Sequence, residues 1–99
     1  MSHVIENVSF RLKPDSNVDG FLKSNEAVDA WLSAQPGFVT RTLSEGEGGM
    51  WLDHVEWATM DAAKAAADAM MKEATLAPFA SQIDETTVQM RHNTLRWKR

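Results

Sequence analysis

The feature that most constrains this chain is the order in which two hydrophobic periodicities follow one another. The stretch from Val4 to Leu12 alternates with the period of two that is typical of a β-strand, and a proline at residue 14 ends it. Apolar residues at helical spacing then occupy 18–32, and Pro36-Gly37 ends that segment. The first part of the chain therefore predicts a strand followed by a helix.

The remainder continues as two strands, a second helix and a last strand. Segments 38–43 and 50–58 are rich in β-formers and flank a glycine-rich turn, which is the pattern of a hairpin. Thr59 can cap an alanine-rich helix, and Pro78 interrupts that helix and begins a short separate turn. The last strand is expected from residue 87 to about 97.

The resulting order, βαββαβ, is that of a ferredoxin-like fold, and the handedness of crossover connections leaves few other topologies. A chain of 99 residues can build one hydrophobic core. We therefore predict a single α+β domain over residues 1–99, with an antiparallel sheet and two helices on one face.

The third strand suggests what covers the other face of the sheet. Its apolar side chains fall on both sides, with Met50 and Leu52 on one and Trp51, Val55 and Trp57 on the other. A second copy of the chain would cover such a face. We therefore predict a homodimer through the non-helix sheet face, a dimeric α+β barrel whose interior could hold a small apolar or aromatic ligand.

Composition excludes several classes of function. The absence of cysteine excludes disulfides, thiolate nucleophiles and cysteine-ligated metals. A net charge of −4 argues against nucleic-acid partners, which require a basic surface. The first residues resemble no secretion signal, and no apolar run reaches the roughly 20 residues needed to cross a bilayer. We expect a cytoplasmic protein without a membrane partner.

Two polar residues stand out within the strands. Because side chains alternate along a strand, Asn7 lies on the same side of its strand as Ile5 and Ser9. Asp53 likewise lies on the same side as Trp51, Val55 and Trp57 of the third strand. If both sets point away from the helices, Asn7 and Asp53 meet in the dimer cavity. The expected lining of that cavity comprises Trp51, Val55 and Met90.

The segment Asp53-His54-Val55-Glu56-Trp57-Ala58-Thr59 resembles the third-strand signature of the antibiotic biosynthesis monooxygenase family of dimeric α+β barrels. In that signature a polar residue precedes a tryptophan by four positions, and the cofactor-independent members have asparagine where this chain has Asp53. The order of elements extends the resemblance over nearly the whole chain. In the family's haem-degrading members, Asn7 and Trp57 have similar counterparts, but their haem-ligating histidine has none in 64–71.

This resemblance implies a cofactor-independent monooxygenase that acts on a small aromatic or quinol-type substrate, without flavin, haem or metal. For such chemistry, we expect Asp53 to remove a proton, Asn7 to donate a hydrogen bond to the resulting oxyanion, and Trp51 and Trp57 to stack on the substrate ring. The same fold can lack catalysis. The alternative is a non-catalytic small-ligand-binding or stress-associated dimer.

The other sides of these strands offer a rival polar site. It comprises two carboxylates and two imidazoles, from Glu6, His54, Glu56 and His92. Such a group could bind a divalent metal, act as a general acid–base pair, or form a structural hydrogen-bond network. No HxH or HExxH spacing anchors a metal here, so no metal site is predicted.

Overall fold

The structure, a computed structural model, describes residues 2–99 and has the predicted α+β architecture. Four strands form one antiparallel sheet in the order β2-β3-β1-β4. The elements are β1 (Val4–Leu12), α1 (Val18–Ser33), β2 (Phe38–Glu45), β3 (Trp51–Trp57), α2 (Met60–Met70), α3 (Ala77–Ala80) and β4 (Ile83–Thr94). The predicted ferredoxin-like order is confirmed, and the last strand begins four residues earlier than expected.

Local sequence signals account for where the helices begin. The Asn17 side chain accepts a hydrogen bond from the backbone N–H of Gly20 at 2.7 Å, and the Thr59 hydroxyl accepts one from Ala62 at 3.0 Å. These caps satisfy backbone donors that the first turn of a helix leaves free. Small buried side chains at Ala63 and Ala66 allow α2 to lie close to the sheet.

The register between β1 and β3 determines which side chains share a face. Val4 lies opposite Trp57 and Phe10 opposite Trp51, so even-numbered residues of β1 pair with odd-numbered residues of β3. We call the side carrying Val4, Val8 and Phe10 the helix-covered face, because it packs on the helices. The side carrying Ile5, Asn7 and Ser9 is the open face.

The tryptophans of β3 belong to the core between the sheet and α1. The Trp51 ring is stacked on Phe10, with centroids 6.5 Å apart, and lies edge-on to Phe21 of α1 at 5.0 Å. Trp57 is fully buried and meets Phe38 edge-on at 5.9 Å. This aromatic packing holds α1 against β1 and β3.

The open face is less apolar than the sequence suggested. Met50 precedes β3, and Leu52 is the apolar side chain that β3 contributes to this face, next to Ser9 and near His54. The tryptophans that were expected to make the uncovered side apolar lie under the helices instead. In residues 2–99, no helix combines the length and the apolar character that crossing a membrane requires.

Candidate functional site

Asn7 and Asp53 do not meet. Asn7 lies on the open face opposite His54, whereas Asp53 lies on the helix-covered face opposite Val8. Residues directly opposite each other on paired strands share a face, and here an odd residue of β1 faces an even residue of β3. The predicted grouping of Asn7 with Asp53 and Trp57 is therefore wrong, although Asp53 and Trp57 do share one face.

Asp53 forms a buried ion pair with Arg41 of β2. The guanidinium donates from Nε to Oδ1 at 2.9 Å and from Nη2 to Oδ2 at 2.8 Å, and Asp29 of α1 lies 3.6 Å from Nη1. Both carboxylate oxygens are thus engaged, so a substrate would have to displace Arg41 to reach them. Arg41 was not among the predicted site residues. It lies two positions from Leu43, which packs against the core, and a charged residue on that side of the strand needs a buried partner.

The predicted lining residues do not surround a cavity on the non-helix face. Trp51 and Val55 are buried beneath the helices as core residues, and Met90 lies opposite Val8 on the helix-covered side with half of its surface exposed. Trp57 differs from Trp51 in one respect. Within residues 2–99, its indole Nε1 is buried without a hydrogen-bond partner.

The rival polar site is divided between the two faces of the sheet. Glu6 pairs with His92 on the helix-covered face, while His54 and Glu56 lie on the open face. Among the described residues no three histidine, aspartate or glutamate side chains gather closely enough to hold a metal ion. The predicted convergence of all four is wrong. Instead, Glu6 and His92 form one polar pair, and Glu56 belongs to a separate polar cluster.

The first of these clusters surrounds Glu56, which is only 3% exposed. Lys98 Nζ donates to Oε1 at 2.9 Å, and His3 Nδ1 lies 2.6 Å from Oε2. Hydrogen bonds from Lys98 and then from His3 hold the pKa of the Glu56 carboxyl below its ordinary value, against the opposing effect of burial. This cluster joins both ends of the chain to the open face.

The second is the Glu6–His92 pair, in which Oε2 and Nε2 are 2.7 Å apart. The Glu6 side chain is 9% exposed and that of His92 is 21% exposed, so the carboxylate is buried while the imidazole remains accessible. Neighbouring side chains on one face of a strand are two positions apart, which places Val4 and Thr94 next to this pair.

An open groove of about 430 Å³ lies at the start of α2, and two of its lining residues, Val4 and Thr94, are each two positions along their strands from Glu6 and His92. Its lining consists of Ser2, Val4, Thr59, Met60, Asp61 and Thr94. Val4 lies directly between Trp57 and Thr94 in the paired strands. The groove, the carboxylate–imidazole pair and the unpartnered indole N–H therefore occupy one end of the helix-covered face, and we take this region as the candidate site.

The fold and this site define a ferredoxin-like α+β protein with a small groove beside a buried carboxylate–imidazole pair. Solved structures share that fold. SnoaB, a cofactor-independent oxygenase from Streptomyces nogalater, matches with a TM-score of 0.66 and 18% identity, covering 100% of this chain and 96% of its own. A Streptomyces coelicolor monooxygenase in complex with nanaomycin D matches at 0.69 and 18%, over 98% and 90% of the two chains.

A Caulobacter crescentus protein assigned by name to the antibiotic biosynthesis monooxygenases matches with a TM-score of 0.77 and 15% identity, over 97% of this chain and 92% of that one. At such identities the likeness shows the fold alone. It confirms at that level the resemblance inferred from the third strand. No family model and no curated protein sequence matches the chain.

Proposed function

We propose that this protein is a cofactor-independent, monooxygenase-like protein that binds a small aromatic or quinol-type substrate in the groove at the start of α2. The observation that carries the proposal is the buried indole N–H of Trp57, which has no hydrogen-bond partner within residues 2–99. Trp57 lies opposite Val4, and Val4 lines the groove. A buried donor without an acceptor costs about 1–3 kcal/mol. A substrate oxygen would supply the missing acceptor.

The groove has dimensions and chemistry suited to such a molecule. Ligand sites commonly enclose about 300–1,000 Å³ and combine apolar walls with a few polar groups. Here Val4 and Met60 are apolar, and the hydroxyls of Thr59 and Thr94 are polar. A flat phenolic ring could lie against the apolar residues while one ring oxygen accepts from Trp57.

The reaction class comes from the comparisons. SnoaB is named a cofactor-independent oxygenase, and the Streptomyces coelicolor monooxygenase was solved with nanaomycin D bound. In the balanced reaction that we propose, a ring methylene activated by a neighbouring phenol becomes a carbonyl. Dioxygen supplies one atom to that carbonyl and the other to water, with the two methylene hydrogens.

We also propose that the protein is a homodimer through the open face. Leu52 is exposed there, and the Asn7 side-chain oxygen is buried without a hydrogen-bond partner among residues 2–99. A second copy would cover Leu52 and could bring a donor to Asn7. The tryptophans and the groove lie on the other side of the sheet, so each copy would carry its own site.

The proposal is tested by incubating the purified protein with a panel of quinols and anthrones while measuring binding by calorimetry and oxygen consumption with an electrode. Trp57→Phe keeps an aromatic ring and removes the N–H, and we expect it to weaken binding about tenfold. Trp51→Phe is the matched control, because that residue packs in the core on Phe10 and Phe21. Equal losses in both variants would contradict the role of Trp57.

The second candidate function is a non-catalytic small-ligand-binding dimer. The observation favouring it is the engagement of both Asp53 oxygens by Arg41, which removes the base implied by the family resemblance. If panel members bind in the groove but no oxygen is consumed, this alternative replaces the oxygenase. If no member binds or is consumed, both candidates fail.

A further inference from the structure

We infer that His92 is the proton acceptor of this site and that Glu6 is the residue that positions it, so that the substrate is an acidic phenol or enol that binds in ionised form. This inference rests on the proposed function for the location of the substrate. It differs from the family resemblance, which assigns the base to position 53.

The hydrogen bond between the two side chains determines which imidazole nitrogen is free. An ionised carboxylate can only accept, so His92 Nε2 must donate to Glu6 Oε2 across the 2.7 Å separation. In a neutral imidazole that carries its proton on Nε2, the lone pair is on Nδ1. Within residues 2–99, Nδ1 of His92 makes no hydrogen bond.

The carboxylate of this pair is buried and the imidazole is partly exposed, as expected of a base that is held in position from behind. The Glu6 side chain is 9% exposed and lies opposite Val55 in the core, so its rotamer is restricted by packing. The imidazole is 21% exposed and is therefore within reach of a bound molecule. A carboxylate held behind an imidazole orients the ring and stabilises the imidazolium that forms when Nδ1 takes a proton.

The groove ends one side chain short of the imidazole along β4. Thr94 lines it and is two positions from His92 on the same face, a separation of roughly 7 Å along the strand. A substrate that extends from the groove past Thr94 would bring its phenolic O–H to Nδ1, which would take the proton, and the electron pair of that bond would remain on oxygen as a phenolate. A second oxygen of the same ring system could accept from Trp57 Nε1.

Other titratable side chains are less suited to this role. Asp61 lines the groove itself, but it is exposed, and within residues 2–99 no hydrogen bond positions its carboxylate. Asp53 shares the helix-covered face, but Arg41 engages both of its oxygens. His54 and Glu56 lie on the open face, on the opposite side of the sheet from the groove. His92 combines an accessible ring nitrogen with the face that carries Trp57.

The inference is tested with 4-nitrophenol, whose phenolate has a distinct visible absorbance. The probe is titrated into the intact protein about one pH unit below the pKa of the free phenol. We expect the parent to bind at least half of it as the phenolate, an ionised-to-neutral ratio about tenfold or more above the roughly 1:10 ratio of the free probe. His92→Gln should still bind the probe but leave it neutral, whereas His54→Gln, on the open face, should behave as the parent.

A second measurement examines Glu6 without the probe. The ¹⁵N shifts of the imidazole should report protonated Nε2 and bare Nδ1 in the parent, and a mixture of tautomers in Glu6→Gln. The tautomer of the parent imidazole is measured first, so this test remains informative even if the Glu6→Gln variant does not fold.

The outcomes separate this inference from the proposed function. If the parent binds the probe or a panel quinol but the bound phenol stays neutral, the role of His92 is overturned and the binding site remains. A parent imidazole protonated on Nδ1 has the same consequence. If neither 4-nitrophenol nor any panel member binds, the proposed function fails and this inference fails with it.

Discussion

Arg41 and Asp53 form a two-pronged ion pair within the helix-covered layer, with both donor–acceptor distances below 3 Å. The Arg41 side chain is 3% exposed and that of Asp53 is 11% exposed. The pair crosses from β2 to β3, and Asp29 of α1 adds a weaker contact with the guanidinium. Because each charge is buried, each depends on the other for stabilisation.

Removing one charge of this pair should destabilise the protein strongly. Asp53→Asn leaves a buried guanidinium without its counter-charge, and we expect a loss of about 3–5 kcal/mol in the free energy of unfolding, measured by urea denaturation. Asp29→Asn is the control, since Asp29 is 64% exposed and 3.6 Å from Arg41, and should cost under about 1 kcal/mol. Equal effects of the two substitutions would contradict a buried, mutually dependent pair.

The acid stability of the protein should depend on Glu56. Its pKa in the folded protein is lowered from 4.5, so the unfolded chain takes up a proton first as the pH falls, and the stabilisation present at neutral pH is lost in acid. Glu56→Gln should therefore be less stable than the parent at pH 7, with the difference shrinking below about pH 4.5. Urea midpoints at several pH values measure this.

The matched control for that experiment is Glu26→Gln, which changes an exposed carboxylate on α1. It should leave the difference between neutral and acid stability as it is in the parent. If Glu56→Gln and the parent lose stability in parallel as the pH falls, the hydrogen bonds from Lys98 and His3 do not stabilise the folded state.

The turn before β2 requires glycine for two reasons. Gly37 has φ +82°, and a Cβ there would lie 2.6 Å from the Cβ of Ala62 in α2. Gly48 has φ +72° but no atom within 4 Å of such a Cβ. Gly48→Ala should cost roughly 1–2 kcal/mol for the backbone conformation alone. Gly37→Ala should cost a further 1–3 kcal/mol or so for the close contact, as thermal or urea unfolding would measure.

The proposed dimer makes a prediction about Leu52. Leu52→Glu places a charge on the open face, and we expect it to shift the protein from dimer to monomer in sedimentation velocity at micromolar concentration. Leu22→Glu is the control, because Leu22 is similarly exposed but lies on α1. A parent protein that sediments as a monomer at these concentrations would contradict the proposed interface.

Local signals were sufficient for the order of elements. Alternating residues in 4–12, the cap at Thr59, and the breaks at prolines each depend on a few neighbouring residues, and the structure confirms them. The start of β4 was less predictable. Leu12 pairs with Ile83 across a register shift in β1, and such an irregularity depends on the partner strand.

The sequence by itself thus determined the ferredoxin-like order, and it identified Glu6, His92 and Trp57 as residues of interest. Only the tertiary structure decided which of them meet. Parity within one strand assigns alternate faces, but the face shared with another strand depends on the register between them, and a shift of one residue moves every side chain to the opposite side. Pairing Val4 with Trp57 across β1 and β3 separated Asn7 from Asp53, and pairing Val4 with Thr94 across β1 and β4 joined Glu6 to His92. Both registers are set by contacts between residues far apart in the chain.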